Sequence, residues 1–308
     1  MKAYDAFVIG SGPAGITAAL YLARSGCSVM LAEQLTEGGQ LLQTEALENY
    51  PGYPKGIKGY ELADLFAAHL EGLPIDRVSA TVDAVSGSGG NFVVHAGQQD
   101  YAARVVIVCS GAKHRQLGLE KEDSLTGKGV SYCALCDGNF FRGQTVAVVG
   151  GGNAALEESL YLAKIVEKVH LIHRRDSFRG GKVYQDRLAA LGDKIEQHLS
   201  SVVTALHGED SLTGLDVRHV ESGVTTRLDV SGLFVYVGFA PVTSYLPQDL
   251  KRDPQGFIVT DTEMRSNIDG IFAAGDIRSK LCRQVITAAG DGATAAQAAF
   301  LYLEQLHA

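Results

Sequence analysis

The stretch Tyr4-Asp5-Ala6-Phe7-Val8-Ile9-Gly10-Ser11-Gly12-Pro13-Ala14-Gly15 decides the fold. Residues 4–10 are an apolar run that ends in glycine, the pattern of a short buried strand. Over residues 13–25, Ile16, Ala19, Leu20 and Ala23 recur at i, i+3, i+4 and i+7, one face of a helix. Residues 28–33 supply a second strand, so the N-terminal stretch predicts a βαβ unit. Its corner, Gly10, Ser11, Gly12, Pro13, Ala14 and Gly15, has the glycines needed for a tight turn, for close approach of backbone to a pyrophosphate, and for helix–strand packing. Helix N–H groups and the helix dipole then face the phosphates. Glu33 stands 23 residues beyond Gly10, at the end of the second strand. A carboxylate there accepts from both ribose hydroxyls and repels a 2′-phosphate.

The plan recurs. Residues 145–150 read as a strand, residues 153–165 as a helix with Leu156, Leu160 and Ala163 on one side, and residues 168–173 as the next strand. The second corner, Gly150-Gly151-Gly152-Asn153-Ala154-Ala155, is a G-x-G-x-x-A variant; Gly150, Gly152, Asn153, Ala154 and Glu157 are its candidate binding residues. The same offset of 23 lands on His173, followed by Arg174, Arg175 and Arg179. A cationic cluster occupies the ribose position, and guanidinium forks match phosphate oxygens. The second corner therefore favours NADPH over NADH. Two corners of opposite preference imply two dinucleotides, a bound FAD and an exchanging NADPH, because a flavin can hold the two electrons that a hydride delivers. A phosphate-loop reading of Gly180-Gly181-Lys182 fails, since Val183 stands where Ser or Thr is needed.

After each βαβ unit come short alternating strands: residues 76–85 and 91–95, joined by a turn over 86–90, and then roughly 201–206 and 214–219. Each half closes on an apolar strand ending in glycine, residues 105–111 and 233–238. Residues 256–260 and 270–274 read as two more short strands, and residues 284–306 as an Ala-rich helix interrupted by Gly290 and Gly292. This tail has no βαβ unit of its own and is expected to return to the first module. The predicted fold is α/β: two Rossmann-like βαβ-plus-meander domains, the second inserted into the first. The predicted bounds are residues 1–112 with 243–308 for the FAD domain and 115–240 for the NADPH domain.

Composition agrees. A length of 308 residues gives about two domains at roughly 150 residues each. The net charge of −8 argues against a nucleic-acid binder, which needs a basic face. Hydrophobic residues at 46% and charged residues at 20% can build a sizeable core. Apolar runs stay short of the ~18 residues of a membrane span, so no membrane partner is expected. Asp5 and the glycine corner break any signal-peptide core in residues 1–23. Five scattered cysteines do not make a disulfide scaffold, and a cytoplasmic location is the default.

Cys133-Ala134-Leu135-Cys136-Asp137 holds the close Cys pair. Two intervening residues allow a disulfide that opens and closes easily, and the spacing can lower a thiol pKa. Zinc needs four ligands at metal spacing, and Cys27, Cys109 and Cys282 are isolated, so no metal is expected. Asp137 is placed to move the proton of thiol–disulfide exchange.

These residues resemble the bacterial low-molecular-weight thioredoxin reductases over nearly the whole chain. The resemblance rests on residues 10–15, Gly38-Gly39-Gln40-Leu41, Glu48-Asn49-Tyr50-Pro51-Gly52, residues 133–138, residues 150–158, His173-Arg174-Arg175 with Arg179, Gly275-Asp276, and Arg283-Gln284. It implies that Gly275 and Asp276 hold the flavin ribityl chain and that Arg283, Gln284 and Val285 flank the isoalloxazine. Gly39, Gln40, Asn49, Val82 and Gly111 are implied in the same pocket. Cys136 would be the flavin-facing sulfur, Cys133 the one that attacks the thioredoxin disulfide, and Asp137 the acid/base. The resemblance further implies a homodimer, and a swing of one domain against the other with hinges at residues 111–114 and 238–243. Two departures stand out. Leu135 replaces the commonest Thr, with an altered potential or partner fit as the expectation. Gly180-Gly181 replaces less flexible residues after Arg179, which is expected to loosen the NADPH clamp.

The leading expectation is an FAD enzyme that reduces thioredoxin with NADPH through Cys133 and Cys136. Two other readings are an NADPH-dependent flavin oxidoreductase that uses ferredoxin, quinone or oxygen with an incidental Cys pair, and a non-catalytic FAD redox sensor.

Overall fold

The computed structural model describes residues 2–44, 46, 47 and 49–307; Met1, Glu45, Glu48 and Ala308 lie outside the described residues, so the Glu48 position of the family motif does too. The chain forms two compact units, Met1–Lys113 with Ala240–Ala308, and His114–Phe239.

The first unit is built on a sheet whose parallel part runs Ile75–Ser79, Val29–Glu33, Ala3–Ile9, Gln99–Val108, with Ile271–Ala273 also paired to the last of these. Phe7, Val8, Val106 and Ile107 are fully buried, as strands covered on both faces must be. The expected strand at 105–111 is longer at its start and stops at Val108. It stays in the parallel ladder with Ala3–Ile9, while its opposite edge pairs antiparallel with Asn91–Ala96 over residues 99–103 and parallel with Ile271–Ala273 over residues 106–108; Asn91–Ala96 in turn pairs with Val82–Ser88. The expected strand at 76–85 is two strands, Ile75–Ser79 in the parallel sheet and Val82–Ser88 in the meander. Alternation of residue type continues across the bend and hides it. The expected five-residue turn at 86–90 is a two-residue hairpin, Gly89-Gly90, with φ of +58° and +87°. Positive φ at both positions matches the twist of the flanking strands, and only glycine takes it freely.

The helix Pro13–Arg24 crosses between the first two strands and buries Ile16, Ala18, Ala19 and Leu22. The tail returns to this unit, as the sequence pattern requires. It forms one unbroken helix, Val285–His307, whose Ala295, Ala296, Ala299 and Leu303 share the core of the first helix. Gly292 does not interrupt it. A Cβ at Gly292 would lie 2.2 Å from the Ala14 carbonyl oxygen, so the glycine lets the two helices touch. Residues 256–260 are not a strand; Ile258 makes only isolated bridges to Arg252 and Arg278.

The second unit repeats the order. Its parallel sheet runs Ile195–His198, Lys168–Ile172, Thr145–Gly150, Gly232–Tyr236, Val130–Ser131. The slot filled by a C-terminal strand in the first unit is here filled by the N-terminal strand Val130–Ser131. The meander has a third strand, Thr225–Leu228, which the sequence reading misses because three of its four residues are exposed and polar or charged. The chain crosses between units at the short strands Ala112–His114 and Phe239–Pro241. Gly111 and Gly238, just before them, hold φ of +63° and +117°.

Candidate functional site

The first corner is shaped by sterics. Gly10 sits at φ +97°, and a Cβ there would lie 2.6 Å from the Cys109 carbonyl oxygen. A Cβ on Gly15 would lie 1.8 Å from the Gly10 carbonyl oxygen, so the helix can rest on the strand end only through glycine. Gly12 is different: nothing lies within 4 Å of its ideal Cβ, and its φ is −73°. The chain itself does not demand glycine there. The space in front of the helix start, where no side chain caps the free N–H groups, is the cradle a pyrophosphate needs. Gly38 N–H donates to the Ser11 carbonyl at 2.8 Å and draws the Gly39 loop to within 3.2 Å of Gly12, measured from the ideal Gly39 Cβ. Glu33 meets the corner directly. Its Oε2 accepts from Ser11 N–H at 2.8 Å and Ser11 Oγ at 2.9 Å, and its Oε1 accepts from Gln34 and Leu35 N–H. A ribose reaching this carboxylate would exchange with the Ser11 hydroxyl, since a carboxylate offers about four acceptor positions.

Other residues of the expected flavin pocket gather in the same unit. Gln40 Nε2 donates to the Ala112 carbonyl at 2.9 Å, beside Gly111. Asn49 Nδ2 donates to Gln284 Oε1 at 2.9 Å, across 235 positions of sequence. Arg283 lies over the Phe257 ring at 3.9 Å, with its guanidinium donating to the carbonyls of Asp276 and Arg278. Val285 opens the tail helix and packs against the cluster that contains Leu41, Leu47 and Leu62. Gly275 holds φ +79°, and its N–H donates to Asp291 Oδ2, which also accepts from Lys280, while Asp291 Oδ1 accepts from Arg278. Asp276 Oδ1 is buried without a hydrogen-bond partner, 3.8 Å from the Lys280 ammonium, and burial holds its carboxyl above the usual range. An orphaned acceptor of this kind fits a ribityl hydroxyl. Val82 has its side chain in the core with Tyr4 and Phe7, which leaves only its main chain for a ligand.

The second corner follows the same steric logic. Gly150 would clash with the Tyr236 carbonyl and with Ala155, and Gly151 with the His173 ring, whereas Gly152 again has nothing within 4 Å. The helix Asn153–Leu162 starts without a side-chain cap. Asn153 Oδ1 accepts from Gly181 N–H at 2.7 Å, Ala154 is exposed, and Glu157 is half-buried on the next turn. His173 is buried against Gly151 and beside Phe178, with Nε2 unpartnered. Burial and the charges of Arg179, Arg175 and Arg174 hold it below its ordinary pKa. The positive charge of the cluster is therefore carried by the three exposed arginines, and His173 is a neutral wall. The main chain on either side of Gly180 is tied to the corner. Arg179 and Gly180 N–H both donate to the Gly151 carbonyl, at 2.7 and 3.0 Å, and a Cβ on Gly180 would lie 2.4 Å from Leu156 Cδ1. Gly180 lets the arginine loop lie flat on the corner.

Cys133 and Cys136 form a disulfide with Cα atoms 5.3 Å apart. Cys133 is half-buried at the cap of the short helix Ala134–Asp137, where its Sγ accepts from Cys136 N–H at 3.1 Å; Cys136 is exposed. Ser131 Oγ donates to Asp137 Oδ2 at 2.6 Å and accepts from Cys133 N–H at 3.1 Å. Tyr236 Oη accepts from Ala134 N–H at 2.8 Å. Ser131, Tyr236 and Asp291 are missed by the sequence reading. Ser131 lies two residues before Cys133 and could have been suspected; the other two arrive from remote strands and helices with no local signal. Burial pushes the Cys27 thiol up to about 11 and that of Cys109 still higher, so neither is a reactive thiol at neutral pH.

Two dinucleotide corners and a redox-capable Cys pair define a flavin- and nicotinamide-dependent disulfide oxidoreductase. The family profile for pyridine nucleotide-disulphide oxidoreductases matches residues 4–292, and the chain belongs to that family. It is 41% identical to the thioredoxin reductase of Listeria monocytogenes over 306 residues, covering 99% of this chain and 95% of that one. The crystal structure of Lactococcus lactis thioredoxin reductase in its FR conformation superposes with a TM-score of 0.94 at 40% identity, covering 98% of this chain and 99% of that one. That of the T. acidophilum thioredoxin reductase superposes at 0.92 and 32% identity, covering 99% and 100%. Within its family the chain stands among the low-molecular-weight thioredoxin reductases.

Proposed function

We propose that this protein reduces thioredoxin with NADPH, using bound FAD and the Cys133–Cys136 pair, in a reducing cytoplasm. The observation that carries the reading is the disulfide itself, set at a helix cap beside a carboxylate in the unit that also bears the second nucleotide corner. When bound, FAD would supply the two-electron chemistry that links a nicotinamide to a disulfide. The Gly10–Gly15 corner would hold its pyrophosphate against the helix start, and Asp276 Oδ1 would accept from its ribityl chain. Arg174, Arg175 and Arg179 would grip the 2′-phosphate of NADPH, with Gly152 leaving room for its pyrophosphate.

In the disulfide, Cys136 N–H donates to Cys133 Sγ, and the same donor would face a Cys133 thiolate in the dithiol form. The Cys133 thiolate attacks one sulfur of the thioredoxin disulfide, and the other sulfur leaves and takes a proton. Asp137, held by Ser131, is the nearby group placed to relay that proton. The Cys136 thiolate then attacks Cys133 Sγ. This releases the second thioredoxin sulfur and restores the Cys133–Cys136 bond, so two electrons pass to the partner.

In the test, Cys136→Ser keeps its flavin and its yellow colour but loses NADPH-driven thioredoxin reduction by at least about a hundredfold. Undiminished turnover in that variant would make the Cys pair incidental and favour a flavin oxidoreductase of another acceptor.

A further inference from the structure

We propose that His170, Glu196 and His198 form a binding site for one divalent transition-metal ion of the zinc type, apart from both nucleotide corners. The strands Lys168–Ile172 and Ile195–His198 are parallel neighbours, with His170 opposite Glu196 and Ile172 opposite His198. Alternation along a strand then puts His170, Glu196 and His198 on one face of the sheet. Ile172, on that face, belongs to the core shared with the meander residues Leu206, Leu215 and Val217, and Ile195–His198 is the edge strand. The three side chains therefore stand where that core opens to solvent. Among the described residues they are the group of three candidate ligands whose donor atoms lie within 4.8 Å of one another.

The donor atoms stand close enough to converge on one ion, in place of the hydrogen bond that now joins the two imidazoles. His170 Nδ1 and His198 Nε2 are 3.0 Å apart, and Glu196 oxygens stand 3.7 Å from the first and 3.5 Å from the second. Donors at about 2.0–2.2 Å from a tetrahedral zinc ion are roughly 3.3–3.6 Å from one another, so small shifts would place all three on one centre. At 3.5 Å and beyond, the carboxylate bonds to neither imidazole; its partner is the Lys168 ammonium. The imidazoles are 11% and 19% exposed and the carboxylate 45%, which gives a mostly dry pair of nitrogens with an open approach past Glu196. Two imidazoles and one carboxylate are the donor set of borderline d-block ions, and three protein ligands leave the fourth position to water. The ion would tie the edge strand to its neighbour one hydrogen bond from the arginine loop, since the His198 carbonyl accepts from His173 N–H at 2.9 Å.

The test uses tag-free, flavin-loaded protein with Cys133–Cys136 oxidised and Cys282→Ser in place, so that no exposed thiol competes. Zn(II) is titrated against a chromophoric chelator, and bound zinc is examined by X-ray absorption. The expected result is one equivalent held at about micromolar affinity or tighter, with nitrogen and oxygen neighbours near the metal and a raised melting temperature. Glu196→Gln and His198→Gln should each weaken uptake at least tenfold while melting, without zinc, close to the parent. Absence of uptake overturns the proposal. So does uptake that is equally strong in Glu196→Gln, which keeps the fold even if a histidine change does not.

Discussion

At the scale of single residues, each corner separates glycines the chain needs from a glycine only a ligand needs. Gly15→Ala would push a methyl to 1.8 Å from a carbonyl oxygen, whereas Gly12→Ala meets nothing and keeps an ordinary φ. We predict that Gly15→Ala costs at least about 3 kcal/mol of stability or fails to fold. Gly12→Ala should leave the melting temperature of the flavin-free protein nearly unchanged and weaken FAD binding at least tenfold. Flavin fluorescence titration of both variants checks this, and tight FAD binding by Gly12→Ala would remove the cradle. The glycine spacing was legible in the sequence because a strand end, a tight turn and a helix start follow one another within six residues. Asp291, which fixes Gly275, was not. Its role depends on the tail helix lying beside the Gly275 loop, a tertiary fact. Ser131 is intermediate, close in sequence but recognisable only once the strand end brings its hydroxyl between Cys133 and Asp137.

At the scale of elements, periodicity located both crossover helices and most parallel strands, because burial on both strand faces and on one helix face leaves a plain apolar pattern. Register between strands left no such trace. The adjacency of His170, Glu196 and His198 comes from two parallel strands 28 positions apart at the histidines, with the helix Lys182–Ala189 between them. The arginine loop shows how element geometry adds to a residue-level reading: of the two glycines after Arg179, Gly180 is bonded to Gly151 and packs closely on Leu156, and Gly181 is bonded to Asn153. Arg175 and Arg179 are exposed there. Replacing both with Ala should raise the KM for NADPH roughly tenfold or more, since a charge-assisted hydrogen bond contributes about 1.5–3 kcal/mol. The KM for NADH and the melting temperature should hardly move. Steady-state kinetics with both nucleotides decide it; equal losses with NADPH and NADH would mean that the arginines do not read the 2′-phosphate.

At the scale of the whole molecule, the two units share a strand order but not a titration chemistry. His114, His170, His173 and His198 all lie in the unit His114–Phe239, and burial is the first cause that holds each below its ordinary pKa. A histidine whose folded pKa is depressed binds fewer protons when folded than when unfolded. Its contribution to stability is present above the unfolded value of about 6.5 and is lost as pH falls toward the folded value. His170 and His198 titrate as a pair, with Glu196 favouring their charge and Lys168 opposing it. In the other unit Asp276 has the opposite sign: its carboxyl is held above the usual range, so folding there gains from protonation. Acidification from about pH 7.5 to about pH 5 should therefore open the second unit selectively, with exchange from Lys168–Ile172 and Ile195–His198 rising of order tenfold after correction for intrinsic rates. Exchange from Ala3–Ile9 should stay close to its neutral value. Hydrogen exchange with mass spectrometry resolves the two sheets directly. A uniform loss of protection would mean that the buried histidines do not set the acid limit, and so would an acid profile left unchanged when His198→Gln removes one member of the pair.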